Sequence, residues 1–359
     1  MTSPSIRTVA AASLTREQLA AWAEIQTENR LLDSPYFRPE FTQAVAAVRD
    51  DVEVAIVERA SEPVAFFPFQ RTNWNAGRPV GGCLSDFQAV IARPGFSCDP
   101  LALLAACGLS SWRFDHLLST ESAFAPFVWR MAESPYVDLS AGYDAYAAQL
   151  PNSHKYLVEP ARRYRKLERE FGPIRFAAHV CQGSILDTMI HWKTAQYERT
   201  HAQNIFKFPW TKKLLHRLLD HRQESFAPLM SVLYAGDQVA AVNYAMRSGD
   251  VLHCWFPAYN QDMRQSSPGI LLYLEIFKAA AGLGINRIDF GKGEEPYKRK
   301  YMNGVALVAE GTVDARPAAA LCRRALRWTR DRIRSSPLYT PARAPARAVK
   351  NVVAWLEHH

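Results

Sequence analysis

The chain has 359 residues, enough for two domains with separate hydrophobic cores. Its composition, 48% hydrophobic and 22% charged, is typical of a globular protein, and no apolar run reaches the ~18–20 residues of a membrane span. The six cysteines include no C-x-x-C pair, which favours reduced thiols over a disulfide framework or a zinc site. Residues 1–14 do not read as a signal peptide, so we expect a cytoplasmic protein without a metal.

The net charge of +8 is unevenly distributed. Residues 315–350 contain ten Arg or Lys and one Asp, a sum of +9, which leaves −1 for the rest of the chain. A nearly neutral body makes nucleic acid an improbable partner, because such binding needs many cations on the body. Residues 356–359 resemble the start of a histidine tag and are left out of the argument.

Hydrophobic periodicity predicts helices and strands in the first part of the chain. The helices are expected at 14–31, 39–48 and 99–109, and the strands at 52–57, 64–71, 84–91 and 113–117. Residues 143–170 then read as a linking helix, densely charged at 162–170 and ended by Gly172 and Pro173. Two interpretations of it stay open: a solvated helix with i,i+4 ion pairs, or a helix beside a phosphate-bearing ligand.

The same criteria predict a second set of elements after residue 172. Helices are expected at 185–198, 211–223 and 270–281, and strands at 229–234, 239–247, 251–257 and 287–290. The strand at 251–257 is almost continuously apolar, which indicates burial on both faces.

Two pairs of segments suggest an internal repeat. Gly108, Leu109, Arg113 and Asp115 recur 174 residues later in 282–289, where each segment ends a helix and opens a strand. Strand 64–71 similarly precedes strand 239–246 by 175 residues. We therefore predict two copies of one mixed α/β unit at 1–142 and 173–314, a linking helix at 143–172 and a basic tail at 315–355; chance similarity is the alternative.

Two places in the second copy are suited to ligand binding. Ser266, Ser267, Pro268 and Gly269 open a long helix, where Ser267 is expected to cap and free N–H groups would attract a pyrophosphate. The other place is 289–300, where two glycines permit a tight turn at a strand end and lysines could meet phosphate. An ordinary capped helix and a solvated loop are the alternatives.

These motifs, together with Trp192-Lys193-x-x-Gln196-Tyr197 and the run 255–259, resemble the GNAT superfamily of acyltransferases. The chain looks most like the CelD/BcsL-type proteins of cellulose and exopolysaccharide biosynthesis, and its tandem form is similar to the Fem peptidyltransferases. The resemblance implies an α/β fold with a mixed sheet and two tandem GNAT-like domains. It departs from the pattern by lacking the usual Gln/Arg-x-x-Gly-x-Gly/Ala phosphate loop and by placing Asn243 where many relatives carry His.

The resemblance also implies acyl-CoA or acetyl-CoA as co-substrate, with its thioester arm between strands 251–257 and 287–290. The residues implied for cofactor binding are Ser266, Ser267, Gly269, Ile270, Phe256 and Lys298. An amine would attack the thioester directly, with Tyr297 as the acid, His253 or Glu294 as the base, and Asp289 as a further catalytic candidate. The substrate-binding candidates are Trp192, Lys193, Gln196, Tyr197, Trp255 and Asn243.

The resulting expectation is a cytoplasmic N-acyltransferase acting on a cell-envelope amine, an amino sugar or a lipid amine such as a sphingolipid base. The first copy, which lacks a lysine-bearing Gly-x-Gly after Asp115, is expected to have lost cofactor binding and to line the acceptor cleft. Residues 318–334 read either as a basic amphipathic helix on anionic lipid at the inner membrane or as a helix docked on the body. A Fem-like aminoacyl-tRNA-dependent transferase and a non-catalytic scaffold are the alternative functions.

Overall fold

The computed structural model describes residues 4–150, 153–221, 223 and 225–316. The predicted basic tail beyond Arg316, including the amphipathic segment 318–334, and the tag-like residues 356–359 lie outside the described residues. None of the described helices is both long and apolar enough to cross a membrane.

The first half confirms most of the predicted elements. Its helices are α1 (Arg16–Glu28), α2 (Pro39–Ala46) and α3 (Pro100–Ala106), and its strands are β1 (Ser5–Ala10), β2 (Val52–Arg59), β3 (Glu62–Thr72), β4 (Ala76–Arg78), β5 (Ile91–Ala92), β6 (Ser111–Leu118) and β7 (Val128–Asp138). Local sequence explains several boundaries: Thr15 and Gln18 form a capping box at α1, and the Asp99 side chain caps α3.

The predicted strand at 84–91 is wrong. Gly82–Leu84 form a 3-10 turn, and only Ile91 and Ala92 pair as a strand. Gln88 explains the difference, because its side-chain carbonyl accepts hydrogen bonds from the backbone N–H groups of Asp115 and His116, at 3.0 and 3.1 Å. A buried side chain thus takes up β6 backbone donors that a sheet ladder would otherwise satisfy.

Two helices, α4 (Tyr143–Gln149) and α5 (Ser153–Phe171), occupy the predicted linking region. The second half then follows, with helices α6 (Gly183–Thr200), α7 (Pro209–Leu219), α8 (Pro268–Ala279) and α9 (Pro296–Tyr301), and strands β8 (Ile174–Ala177), β9 (Phe226–Ala235), β10 (Gln238–Ser248), β11 (Val251–Tyr259), β12 (Arg287–Asp289) and β13 (Gly304–Asp314). The sequence did not predict β1, β4, β7, β8, α9 or β13.

The described strands form one thirteen-stranded sheet in the order β1-β2-β3-β4-β6-β13-β7-β12-β11-β10-β9-β8, with β5 paired to β3. The strand order is the same from both ends of the sheet. Three antiparallel strands, β1-β2-β3 at one end and β8-β9-β10 at the other, are followed by a parallel pair. The parallel pairs are β4 with β6 and β11 with β12, each joined through one helix, α3 or α8. This symmetry is the one that the internal repeat predicts.

The centre of the sheet is made by exchange between the two halves. Strand β13 lies between β6 and β7, and β7 pairs on its other side with β12. The last strand of each half is therefore hydrogen-bonded to the other half. This exchange joins the two halves at the centre of the sheet and brings the loops after β4 and β12 close together.

Candidate active site

The candidate site begins where β11 and β12 separate. Their parallel pairing covers only residues 251–253 and 287–289, whereas β11 continues to Tyr259. The chain leaves β12 through Gly291, whose φ is 70°. A Cβ at Gly291 would lie 2.8 Å from Asp86 Oδ2, so this turn needs glycine for both its backbone angle and its space.

A β-bulge lies in the part of β11 that β12 does not cover. Opposite β10, Tyr244 pairs with Phe256 and Ala245 with Cys254, so Trp255 is the extra residue. Trp255 and Phe256 consequently both pack in the core under α6, while Cys254 packs in the other core under α8. The indole N–H of Trp255 donates to Leu84 O in the first half at 3.1 Å.

A histidine–carboxylate network joins the two halves at this point. His253 Nε2 lies 3.0 Å from Asp86 Oδ2, and His116 Nε2 lies 3.7 Å from Asp86 Oδ1. His116 Nδ1 in turn lies 2.9 Å from Asp115 Oδ1. Asp86 and Asp115 are partly exposed, whereas His253 has no exposed surface and packs against the rings of Tyr36 and Phe87.

The electrostatics favour the ionised form of Asp86. Burial alone would raise the pKa of Asp86, but the hydrogen bond from His253 and the charges of His253, His116 and Lys298 lower it below its usual value. An ionised carboxylate only accepts hydrogen bonds, so the His253 proton that faces Asp86 is on Nε2. The other ring nitrogen, Nδ1, is buried and has no hydrogen-bond partner among the described residues.

Helix α6 supplies the predicted substrate residues above β11. Lys193 is buried, Trp192 and Tyr197 are partly buried beside the core, and Gln196 accepts a hydrogen bond from Lys193 Nζ at 3.2 Å. The pKa of Tyr197 is raised, first by burial and then by the charges of Cys83 and Asp86. Of these residues, Tyr197 is therefore the one near the loop 82–90 of the first half, where the Cys83 side chain is exposed.

The start of α8 contains the predicted pyrophosphate residues. Ser266 is buried and its Oγ has no hydrogen-bond partner among the described residues. Ser267 takes a left-handed backbone conformation with φ 49° and makes no side-chain cap, so that part of the prediction is wrong. Its Oγ instead accepts a hydrogen bond from Arg163 Nη1 at 2.5 Å, while Lys166 Nζ donates to Gln265 Oε1 at 2.9 Å.

The basic helix α5 therefore lies beside the first turn of α8. Gly269 and Ile270 belong to this turn, and an added Cβ at Gly269 would find only Tyr259, at 3.6 Å. In this turn Pro268 has no N–H, and the N–H groups of Ile270 and Leu271 donate to Ser267 O at 2.9 and 3.3 Å, so the charges of Arg163 and Lys166 are its main attraction for a phosphate. Within α5, Arg163 also pairs with Glu159 and Lys166 with Glu170, the i,i+4 ion pairs of the other interpretation, so both interpretations of 162–170 stay open.

On the opposite face of β11, Asn243 Nδ2 donates to Cys254 Sγ at 3.5 Å, and Asn243 Oδ1 is buried without a partner among the described residues. Asn243 thus lies under α8, away from the α6 side on which Trp255 packs. Tyr297 is on the same side as Asn243, stacked on Tyr273 with ring centroids 5.4 Å apart. Burial is the main cause that raises its pKa, so the phenol keeps its proton at neutral pH.

The remaining loop candidates hold the structure together. Lys298 Nζ donates to Gly291 O and Lys292 O, at 3.2 and 3.1 Å, and pairs with Glu295 at 3.1 Å. These three partners use all three ammonium protons, so this geometry does not support Lys298 as a phosphate ligand. The buried Asp289 is ion-paired to Arg287 at 3.1 Å, and Glu294 is exposed.

Sequence reasoning missed Asp86, Asp115 and His116 as site residues, together with Arg163 at the start of α8. The one available signal was the polar loop between Gly81 and Gln88, at a position where the second half has a strand. Asp86 is 167 residues from His253 in sequence, so only the exchanged sheet reveals the pair. No group of three His, Cys, Asp or Glu among the described residues is arranged to hold a metal ion.

Comparison with known proteins identifies the fold. No curated protein matches the chain. Residues 159–299 match the family model described as "Acetyltransferase (GNAT) domain". The structure is similar to FemX, with a TM-score of 0.54, 9% identity and coverage of 85% of this chain and 96% of that one.

Two further solved structures have similar coverage. One is a tandem GNAT protein from the clavulanic acid biosynthesis pathway, with a TM-score of 0.51, 9% identity and coverage of 88% of this chain and 99% of that one. The other is the C-terminal domain (DUF2156) of a putative lysylphosphatidylglycerol synthetase from Agrobacterium fabrum, with a TM-score of 0.51, 12% identity and coverage of 86% and 94%. At such identities the likeness establishes the fold alone. The chain therefore has the GNAT fold, and its residues 159–299 match the acetyltransferase domain of that superfamily.

Proposed function

We propose that the protein is an acyl-CoA-dependent N-acyltransferase that acylates an amine on a cell-envelope precursor, either an amino sugar or a lipid amine. The observation that carries the proposal is the gap beside β11. This strand runs on to Tyr259 after β12 has ended at Asp289, and it bulges at Trp255 inside the gap.

The residues around the gap fit an acyl-CoA substrate. Ser266 Oγ and Asn243 Oδ1 are buried polar atoms without partners among the described residues, a costly arrangement unless a ligand satisfies them. Arg163 and Lys166 place positive charge at the start of α8. When bound there, acyl-CoA would supply an activated acyl group on a thioester.

The His253–Asp86 pair provides a base for the acceptor amine. Asp86 holds the proton on Nε2 of His253, which leaves the lone pair of Nδ1 free to accept a proton from the attacking nitrogen. The nitrogen bonds to the acyl carbon while the carbon–sulfur bond breaks. Tyr297 lies on the α8 side of β11 and His253 on the α6 side, so the protonated phenol would give its proton to the departing thiolate from the other face of the gap. Because His253 has no exposed surface, an amine reaches it only after side chains around it move.

Acyl-CoA binding tests the proposal directly. Calorimetry on the full chain with acetyl-CoA and longer acyl-CoAs is expected to show binding. The double variant Arg163→Met/Lys166→Met should weaken it about tenfold or more, because two charge-assisted phosphate contacts are removed. The matched control, Arg162→Met/Arg165→Met, removes two exposed charges from the same helix and should change affinity less than about threefold.

The same preparation separates the rival functions. Absence of acyl-CoA binding contradicts the proposal and favours a scaffold, whereas salt-dependent binding of aminoacyl-tRNA in its place favours a Fem-like transferase. The near-neutral charge of the chain outside 315–350 argues against the tRNA alternative. Cytoplasmic location and membrane contact through 318–334 stay predictions.

A further inference from the structure

Lys193 occupies a position that helix geometry reserves for an apolar side chain. It continues the buried stripe of α6 after Leu186, Met189 and Ile190, and only 8% of it is exposed. The stripe packs on β11, β10 and α7. A lysine at such a position needs a physical explanation, since lysines are almost never buried unless they are paired.

No carboxylate in the described part of the chain pairs directly with this ammonium group. Lys193 Nζ donates to the amide oxygen of Gln196 at 3.2 Å and lies 5.2 Å from the centre of the Tyr197 ring. No carboxylate among the described residues lies within 4.0 Å of it, whereas the buried Lys298 has Glu295 at 3.1 Å. An amide and an aromatic face offset part of the desolvation cost of a cation, but an anion offsets it better.

The ammonium group is nevertheless charged near neutral pH. Burial lowers the pKa of Lys193 to about 8, while the charge of Glu295 opposes this shift and that of Lys298 adds to it. Of the titratable groups on the packed elements, His253 on β11 is bonded to Asp86, His216 on α7 to Asp187 at 3.0 Å, and Tyr244 on β10 donates to Leu215 O at 2.9 Å. The others are Cys254, which accepts from Asn243, Arg247, which donates to Gly249 O, the partly exposed Tyr259, and the exposed Lys212, Lys213 and Arg217. A buried cation thus remains on α6 beside Tyr197, whose pKa is raised in part by the charge of Asp86.

We infer that Lys193 binds an anionic group, a phosphate or a carboxylate, that the acceptor amine itself carries. The inference rests on the proposed function in one respect, that an acceptor amine binds beside α6. It narrows the acceptor class from amines in general to amines that also bear a negative charge.

Matched pairs of amines test this inference by calorimetry on the full chain. Glucosamine 6-phosphate against glucosamine probes a phosphate, and serine against serinol probes a carboxylate. In at least one pair the anionic member should bind about tenfold or more tightly, the usual scale of a charge-assisted hydrogen bond in a partly buried site. The pair that shows the preference identifies the anion.

Variants assign the preference to Lys193. Lys193→Met should abolish it, Lys193→Arg should retain it, and the exposed Lys213→Met of α7 serves as the control that leaves it unchanged. In the wild type the preference should fall as pH rises from 7 to 9, because the Lys193 cation is lost through pH 8. In Lys193→Arg it should stay constant over that range, since the guanidinium keeps its charge. A purely structural lysine would produce no such difference.

Equal binding of both members in both pairs, failure of all four amines to bind, or a preference that survives in Lys193→Met would each overturn the inference. Should Lys193→Met fail to fold, the pH dependence of the wild type and of Lys193→Arg decides the question. Acyl-CoA binding in the same samples is independent of these results, so the proposed function can stand while the acceptor class is rejected, or the reverse.

Discussion

The two halves share one arrangement of strands but treat the gap beside their parallel pair differently. In the second half, β11 continues past the end of β12. In the first half the chain closes the corresponding position itself: Gln88 N donates to His116 O, and Leu118 N donates to Gln88 O, both at 2.9 Å, alongside β6. The segment around Gln88 therefore covers the parallel pair of the first half, whereas β12 leaves part of β11 uncovered in the second.

The closing segment of the first half also carries Asp86 to His253. A single stretch, 82–90, thus fills one gap and completes the polar network of the other. This supports the expectation that the first copy lost cofactor binding and lines the acceptor cleft. It also shows why a symmetric fold can have an asymmetric site. The exchanged strands β7 and β13 bring the two gaps together, so residues of one half can reach the gap of the other.

Asp86→Asn is expected to have the largest effect, because it removes the carboxylate that the first half supplies to His253. Asparagine can donate a hydrogen bond to Nε2 of His253, which would move the imidazole proton to Nδ1 and remove the proposed base. We expect kcat to fall about 10²- to 10³-fold, the typical scale of general-base loss, with acyl-CoA affinity unchanged. Steady-state kinetics with calorimetry measure the two effects separately.

Two controls accompany Asp86→Asn. The exposed Asp50→Asn should leave kcat unchanged. A pH–rate profile of the wild type should contain an ionisation that Asp86→Asn shifts or removes, which a packing defect would not do. An unchanged kcat in folded Asp86→Asn would contradict the role of the first half in catalysis.

The sequence predicted what local patterning determines. The hairpins β2–β3 and β9–β10, and helices α6 and α8, follow from the periodicity of their own residues. Strands β7 and β13 were missed because they have exposed apolar residues, Met131, Val305 and Leu307, where an alternating pattern would place polar ones. Their positions depend on the exchange between halves, which no local window contains.

The candidate site was predictable to a similar extent. His253 interrupts the nearly continuous apolar run of β11, and Lys193 and Tyr197 belong to a mixed polar and aromatic segment of α6, so the sequence pattern draws attention to them. The role of Asp289 was harder to predict, because its partner Arg287 also reaches Asp33, 254 residues away in sequence. A tertiary ion pair of this kind distinguishes a structural carboxylate from a catalytic one, and the sequence does not reveal it.

Arg287 and Arg113 occupy equivalent positions of the repeat. Substituting each of them compares how much the two halves depend on this position for stability. Arg287 makes two hydrogen bonds to Asp33, both 2.6 Å, and pairs with the buried Asp289, whereas Arg113 is exposed. Arg287→Met should lower the free energy of unfolding by about 3 kcal/mol, because it leaves the buried Asp289 and the partly exposed Asp33 without a countercharge. Arg113→Met should change it by less than about 1 kcal/mol.

Urea unfolding followed by tryptophan fluorescence measures both losses. Adding Asp33→Asn and Asp289→Asn to Arg287→Met should restore part of the stability, since the unpaired charges are then removed. Equal losses at Arg287 and Arg113 would show that the two copies use this repeated position alike, and would contradict the structural role given to Asp289.

The smallest expected effect concerns the anchor of the closing segment, Glu121. Its carboxylate accepts a hydrogen bond from Val90 N at 3.2 Å, and burial raises its pKa to about 7 although that bond opposes the shift. A carboxyl group with a raised pKa stabilises the fold fully below its unfolded value near 4.5, and this stability is lost as pH rises through 7.

Wild type should therefore lose about 1–2 kcal/mol more of its unfolding free energy between pH 5 and pH 8 than Glu121→Gln, whose amide stays neutral. Glu168→Gln, at an exposed position of α5, is the control and should follow the wild-type curve. Parallel curves for wild type and Glu121→Gln would mean that water reaches the carboxylate and that the closing segment is held without it.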